Sequence, residues 1–320
     1  MLKEKTMNSI KLFTKSFDDI AKEIDIIHQS ENSYLVSQPS DISNDISDFS
    51  EYGLNSYGKL VGFPPKFIEE LSVTSPELAK NILTDRATNY FNQHGAPFTA
   101  REFLGKVSGT VSSKYAFYDD YQVAQVLENS SIAKLPFAAG MVTPERLHLR
   151  AIDAERSFKI NNDKSELFFC YFINNSMVGG SAFRVCLGIF RLACTNGMIL
   201  PMKQFVLMRQ IHKGTKDIAA EFNSQIAFLE NKSNEIKELL NDLSTSDAKI
   251  HEMSADYKES YLAKSLNLSK KETVKVLELY SNTYGGRTKW DMVNAISEFA
   301  RDLKNVDRRE YLETRAMLVA

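Results

Sequence analysis

Residues 167–216 form a run of 50 with no Asp and no Glu, yet they carry Arg184, Arg191, Lys203, Arg209, Lys213 and Lys216. Cations without competing carboxylates are what a nucleic-acid backbone requires, because phosphates are neutralised by Lys and Arg and repelled by acids. Phe183, Phe190 and Phe205 are interleaved with these cations, and planar rings are the platforms on which single-stranded bases stack. His212 and Lys213 precede Gly214 in a basic setting, and Arg287 and Lys289 flank the segment before Trp290. The candidate nucleic-acid-binding residues are therefore Lys114, Arg184, Arg191, Lys203, Arg209, His212, Lys213, Arg287 and Lys289. A plainer reading competes with this one. About half of the 50 residues are apolar, and two buried strands lack carboxylates simply because burial disfavours them. On a two-residue period Arg184 and Arg191 point to opposite faces, unless a bulge, for which Gly188 is the candidate, brings them together. Trp290 reads equally well as a helix-start residue packed on the core.

Other chemistry finds little support. The five histidines, His28, His94, His148, His212 and His251, show no ligand spacing, and the chain has no phosphate loop, nucleophile elbow, zinc-protease helix or dinucleotide fingerprint. Gly179–Gly180 reads as a hairpin turn rather than a phosphate cradle. Asp119–Asp120 reads as a helix cap rather than a metal site. Cys170, Cys186 and Cys194 lie in apolar, strand-like sequence, at spacings that fit no zinc pattern, so buried thiols in a reducing compartment are expected. No catalytic residue, metal or cofactor is expected.

The elements that must position these residues fall into blocks. Residues 37–56 are rich in Ser, Asp and Asn and read as loops. Residues 66–71 and 75–91 read as helix. Residues 103–111 read as strands or a hairpin around Gly105 and Gly109, and residues 120–128 as a helix capped by Asp119 or Asp120. Strands are expected over 141–152, 158–160, 166–174 and 183–194, with Thr195, Asn196 and Gly197 as a tight turn. After Pro201 the pattern changes to helix, with apolar spacing over 217–243, a capping box at Ser269 and Glu272, a stop at Gly285–Gly286, and a further helix over 291–303. Strands in the middle and helices at the ends imply an α+β fold with a central, mostly antiparallel sheet and a helical C-terminal third. The expected division is a polar segment over 1–60, an α+β core over 61–216 and a helical region over 217–320.

Charge follows the same partition. The 320-residue chain has 39 basic and 41 acidic residues, a net charge of −2. The average hides a +6 block between flanks that are each neutral to acidic. No segment has signal-peptide or membrane-span character.

Several of these segments together resemble a known family, catalogued as domain of unknown function 932 and common in phages, prophages and plasmids. The likeness rests on residues 111–120, with Ser112, Tyr115 and Asp119–Asp120, and on the polar turn from Asn175 to Ser181. It continues in Phe183–Arg184–Val185, in the block Arg191–Leu192–Ala193–Cys194–Thr195–Asn196–Gly197, in His212 and Gly214, and in a closing helix that begins at Thr288–Lys289–Trp290–Asp291. It covers about residues 63–320. Many relatives carry His-Asp in the polar turn where this chain has Met177–Val178, which argues against a metal or catalytic role there. The resemblance implies a cytoplasmic, mobile-element setting in replication, recombination or counter-defence. A strand hairpin and sheet followed by helices is also similar to the core of ring-forming single-strand annealing proteins, which implies self-association. The leading expectation is single-stranded DNA binding or annealing without catalysis. The alternatives are a factor that contacts a host or phage protein, and an enzyme of unknown type.

Overall fold

The computed structural model describes residues 14–163, 165–191, 196–199, 206–210, 222 and 232–319. Its centre is an antiparallel sheet in the order β1 (Thr14–Lys15), β5 (Phe137–Thr143), β6 (Arg146–Phe158), β7 (Leu167–Asn175), β8 (Phe183–Arg191) and β10 (Val206–Gln210), with β9 (Asn196–Ile199) paired to the far end of β8. A smaller sheet joins β2 (Tyr34–Val36), β3 (Phe98–Phe103) and β4 (Lys106–Ser112), again antiparallel. The fold is α+β, as the segregation of the sequence into strand and helix blocks implies.

Alternation decides what each face of the large sheet meets. Leu147, Leu149 and Ala151 of β6, the odd-numbered apolar residues of β7, and Phe183, Val185, Leu187 and Ile189 of β8 face a helical layer. The same apolar cluster draws residues from α1 (Phe17–Gln29), α5 (Asp120–Glu128), α6 (Ser233–Thr245), α7 (Ala255–Leu266), α8 (Lys270–Glu278), α9 (Lys289–Arg301) and α10 (Val306–Val319), and α10 also reaches the opposite face through Glu310 and Glu313. Ser269 and Glu272 form the expected capping box at the start of α8, and Thr288 and Asp291 form another at α9. The opposite face holds Ile152, Phe168, Cys170, Phe172, Cys186 and Phe190. Burial pushes the Cys170 thiol up to about 12 and the Cys186 thiol up to about 11, so both behave as core residues. Cys194 lies outside the described residues.

The small sheet has its own core with α2 (Glu51–Val61), α3 (Pro65–Thr74) and α4 (Pro76–His94). Leu104 and Gly105 both have positive φ, 52° and 73°, and close the β3–β4 hairpin. The register shifts between Arg101 and Glu102, leaving Ser108 beside Gly109 as the bulge. A side chain at Gly109 would strike Val178, 2.5 Å from its Cβ, so glycine there lets β4 lie directly on the polar turn that joins β7 to β8.

Four local expectations are corrected. Residues 141–152 are not one strand: Pro144 and Glu145 break them into a β5–β6 hairpin. Residues 206–210 are strand, not helix, because the apolar triplet Val206–Leu207–Met208 is too short for periodicity to decide and it pairs with β8. Asn196 and Gly197 pair with Arg191 and Phe190 as strand rather than turn, and Thr195 lies outside the described residues. The loop expected over 37–56 ends at Ser50, whose side chain caps α2. The helix expected over 217–243 is described as α6 from Ser233; residues 217–221 and 223–231 lie outside the described residues.

Candidate functional site

One cross-strand row organises the polar end of the large sheet. His148 on β6 stands opposite Asn174 on β7, Asn174 opposite Arg184 on β8, and Arg184 opposite Arg209 on β10. Like charges placed directly opposite in an antiparallel pair repel. Arg184 and Arg209 are such a pair, and Arg146, two residues before His148, adds a third guanidinium. These residues, with Ser181, Ala182 and Glu310 of α10, line a cleft of about 220 Å³. Among the described residues of that lining, Glu310 is the single carboxylate.

The helix α10 meets two successive rows of the sheet with residues three apart. Glu310 pairs with Arg184, accepts from Asn174 Nδ2 at 3.4 Å and lies 3.7 Å from His148 Nδ1. Glu313 accepts two hydrogen bonds from Arg150 Nη2, at 2.9 and 2.8 Å, with both side chains buried. Arg150 also lies over the Phe172 ring, 5.2 Å from its centroid. His148 hydrogen-bonds Asn174 Oδ1 through Nδ1. An amide oxygen only accepts, so Nδ1 carries the proton and Nε2 is a bare acceptor. Burial, reinforced by Arg150, pushes the His148 pKa down to about 3, so the ring is neutral at ordinary pH and the cleft's positive charge is that of its arginines. His148 Nε2 and Ser181 Oγ are buried and have no hydrogen-bond partner among the described residues. Among the described lining residues cations exceed anions three to one, and Ser181 Oγ is a donor without a partner, features that suit an anion.

The sequence candidates separate on this geometry. Arg184 and Arg209 meet in the cleft, where Arg209 is exposed. The β7–β8 register runs without a shift from Leu167↔Arg191 to Asn174↔Arg184, so Gly188 makes no bulge and Arg191 lies on the opposite face. There it pairs with Asp163 at 3.0 and 3.1 Å, and Trp290 Nε1 donates to the same carboxylate at 2.8 Å. Trp290 is buried at the start of α9. Arg287 is exposed and bonded to Asp247 at 2.8 Å, and Lys289 is half-buried beside Trp290, both remote in sequence and topology from the arginine row. Lys114 is exposed just beyond β4. Lys203, His212 and Lys213 lie outside the described residues. Sequence reasoning missed Arg146, His148, Asn174, Ser181 and Glu310. One signal was available: Arg146, His148 and Arg150 alternate with Leu147 and Leu149, a polar stripe on one face of a strand that its position in the sheet buries.

Asp119 and Asp120 are structural. Asp119 forms a capping box with Gln122 at α5 and pairs with buried Arg101 at 2.8 Å; Arg101 also pairs with Glu31 at 3.1 Å. Asp120 is buried and accepts from Asn175 Nδ2 at 2.8 Å. Burial pushes its pKa up to about 7. The unfolded chain releases that proton near pH 4, so stability present below about pH 4 is lost as pH rises through 7. Asp120→Asn is expected to raise stability at pH 8 by on the order of 4 kcal/mol and to have little effect at pH 4. Thermal melts of both proteins across pH 4–8 check this, and parallel curves would remove the assignment.

Among the described residues no three metal-type ligands gather, and no helix is long and apolar enough to cross a membrane. Fold and cleft thus define the class: an α+β protein with an arginine-lined cleft at one end of an antiparallel sheet. The chain belongs to the DUF932 family, a domain of unknown function whose model matches residues 107–317, from β4 through the sheet and cleft to α10. No curated protein and no solved structure matches it.

Proposed function

We propose that the protein binds single-stranded nucleic acid, with a backbone phosphate seated in the cleft between Arg146, Arg184 and Arg209. The observation that carries this reading is the cross-strand Arg184–Arg209 pair, a repulsive arrangement that a bound anion relieves and that Glu310 offsets only in part. Guanidinium forks favour phosphate oxygens through paired hydrogen bonds. The Ser181 hydroxyl offers a donor beside them. Annealing of strands, self-association, and a cytoplasmic role in phage or plasmid replication or recombination extend the same proposal; their support is the family resemblance.

The test is binding of a labelled single-stranded DNA across a salt series. Affinity is expected to fall as salt rises, with a log–log slope of about −0.7 per phosphate contacted. Absence of binding at about 50 mM salt, or binding indifferent to salt, overturns the proposal. The protein-contact alternative would then lead, since Phe67, Val73 and Leu78 on α3 and α4 are exposed apolar side chains.

A further inference from the structure

Two buried acceptors stand without a donor where α5 begins. Asp120 is 1% exposed, and Asn175, the last residue of β7, is fully buried. Asn175 Nδ2 donates to the Tyr118 carbonyl at 2.9 Å and to Asp120 Oδ1 at 2.8 Å. Both of its hydrogens are thereby spent, so the orientation of the amide is fixed and its Oδ1 can only accept. Asn175 Oδ1 and Asp120 Oδ2 are buried with no hydrogen-bond partner among the described residues. A buried acceptor left without a donor is costly, and an ionised carboxylate has no proton to offer. A carboxylic acid resolves both atoms at once: its hydroxyl donates to the amide oxygen while its other oxygen keeps the amide hydrogen.

We propose that Asp120 is a carboxylic acid in the folded protein, joined to Asn175 by two hydrogen bonds, and that loss of its proton to solvent releases the β7–β8 turn that shapes the arginine cleft. The surroundings favour the neutral form. Burial acts first and the like charge of Asp119 adds to it, while Arg101 of β3 opposes them. Arg101 is already committed to Asp119 and Glu31. From the α1 side, Glu31 and His28 bear on Asp119. The Tyr118 phenol is held neutral by its own burial.

Asn175 is placed to pass the change on. Before it stands Asn174, which bonds His148 and Glu310 in the cleft. After it stands Ser176, whose Oγ accepts from the Gly180 amide at 2.9 Å and whose carbonyl accepts from Tyr115 Oη at 3.2 Å. The turn then delivers Ser181 and Ala182 to the cleft wall. An ionised Asp120 keeps one bond to Asn175 but sets a charge against its Oδ1, so the amide swings away and the turn moves with it. The binding readout of this switch rests on the anion reading of the cleft; the position of the proton does not.

Nuclear magnetic resonance of the Asp120 side-chain carboxyl carbon, on the intact protein, reads the proton directly. A midpoint of about 7 is expected, with the Asn175 side-chain amide signals moving in step. A midpoint of about 4, that of an ordinary aspartate, overturns the proposal. Affinity for an oligothymidylate is expected to fall about tenfold between about pH 6 and about pH 8.5, within the usual range of coupling between sites. Asp120→Asn supplies an N–H where the acid hydroxyl stands, and is expected to bind equally at both pH values. A parent affinity that does not fall, or an equal fall in Asp120→Asn, overturns the link to the cleft and leaves strand binding intact.

If no strand binds at either pH, the strand reading falls and hydrogen exchange reads the switch instead. The Val178 and Gly180 amides are expected to exchange faster in the parent than in Asp120→Asn at about pH 8.5, and alike at about pH 6. Equal exchange in the two proteins at both pH values overturns the release of the turn.

Discussion

Replacing Arg209 by glutamate is expected to weaken single-stranded DNA binding about 100-fold at about 50 mM salt, and Arg209→Gln about tenfold. Arg209 is exposed and its strand lies at the sheet edge, so neither change removes a core contact. The glutamine loses one charge-assisted contact. The glutamate also sets a carboxylate opposite Arg184, which then has two acidic partners, Glu310 and the new one, and no need of a phosphate. The salt slope should fall by about 0.7 in the glutamine variant, one phosphate contact on a single strand. Fluorescence anisotropy over a salt titration, with circular dichroism to verify folding, measures both quantities. A glutamate variant that binds with unchanged affinity and slope would place the phosphate contact elsewhere.

Glu313→Ala is expected to destabilise the protein by about 3–5 kcal/mol, the largest single effect on folding foreseen here. The side chain is fully buried and is bonded twice to Arg150, itself 3% exposed. Removing one partner strands the other charge away from water, and that desolvation penalty outweighs the lost contact. Converting both together, Arg150→Met with Glu313→Leu, is expected to restore most of the stability, because an apolar pair of similar size carries no such penalty. Denaturant unfolding of the three variants separates the cases; a double variant as unstable as the single one would mean that the pair does not act as a unit. Glu310 sits one turn earlier on the same helix and pairs with Arg184. The buried pair therefore also anchors the helix that supplies Glu310 to the cleft, and DNA affinity of Glu313→Ala should change along with its stability.

Much of this was legible in the sequence, for local reasons. The first half of the acid-free run contains β7 and β8, and strands covered on both faces exclude carboxylates. Phe190 and Cys186 are core; Arg184 stands at the polar end. The caps at Asp119 and Ser269 formed as expected because capping depends only on neighbours within one turn. The strand at 206–210 was misread because its short apolar stretch has no period of its own, and pairing with β8 decided it.

By itself the sequence determined the α+β class, the helix starts and the surplus of cations in the middle of the chain, since each depends on residue type and short-range spacing. Only tertiary structure decided which cations share a surface. Arg184 and Arg191 are seven residues apart on one regular strand and therefore face opposite ways, one into the cleft and one onto Asp163. Arg146, Arg184 and Arg209 are far apart in sequence and converge because strand register aligns β6, β7, β8 and β10 at one end of the sheet. Register is a long-range property, set by the whole pattern of buried faces, and that is why the net charge of the chain carried no sign of the cleft.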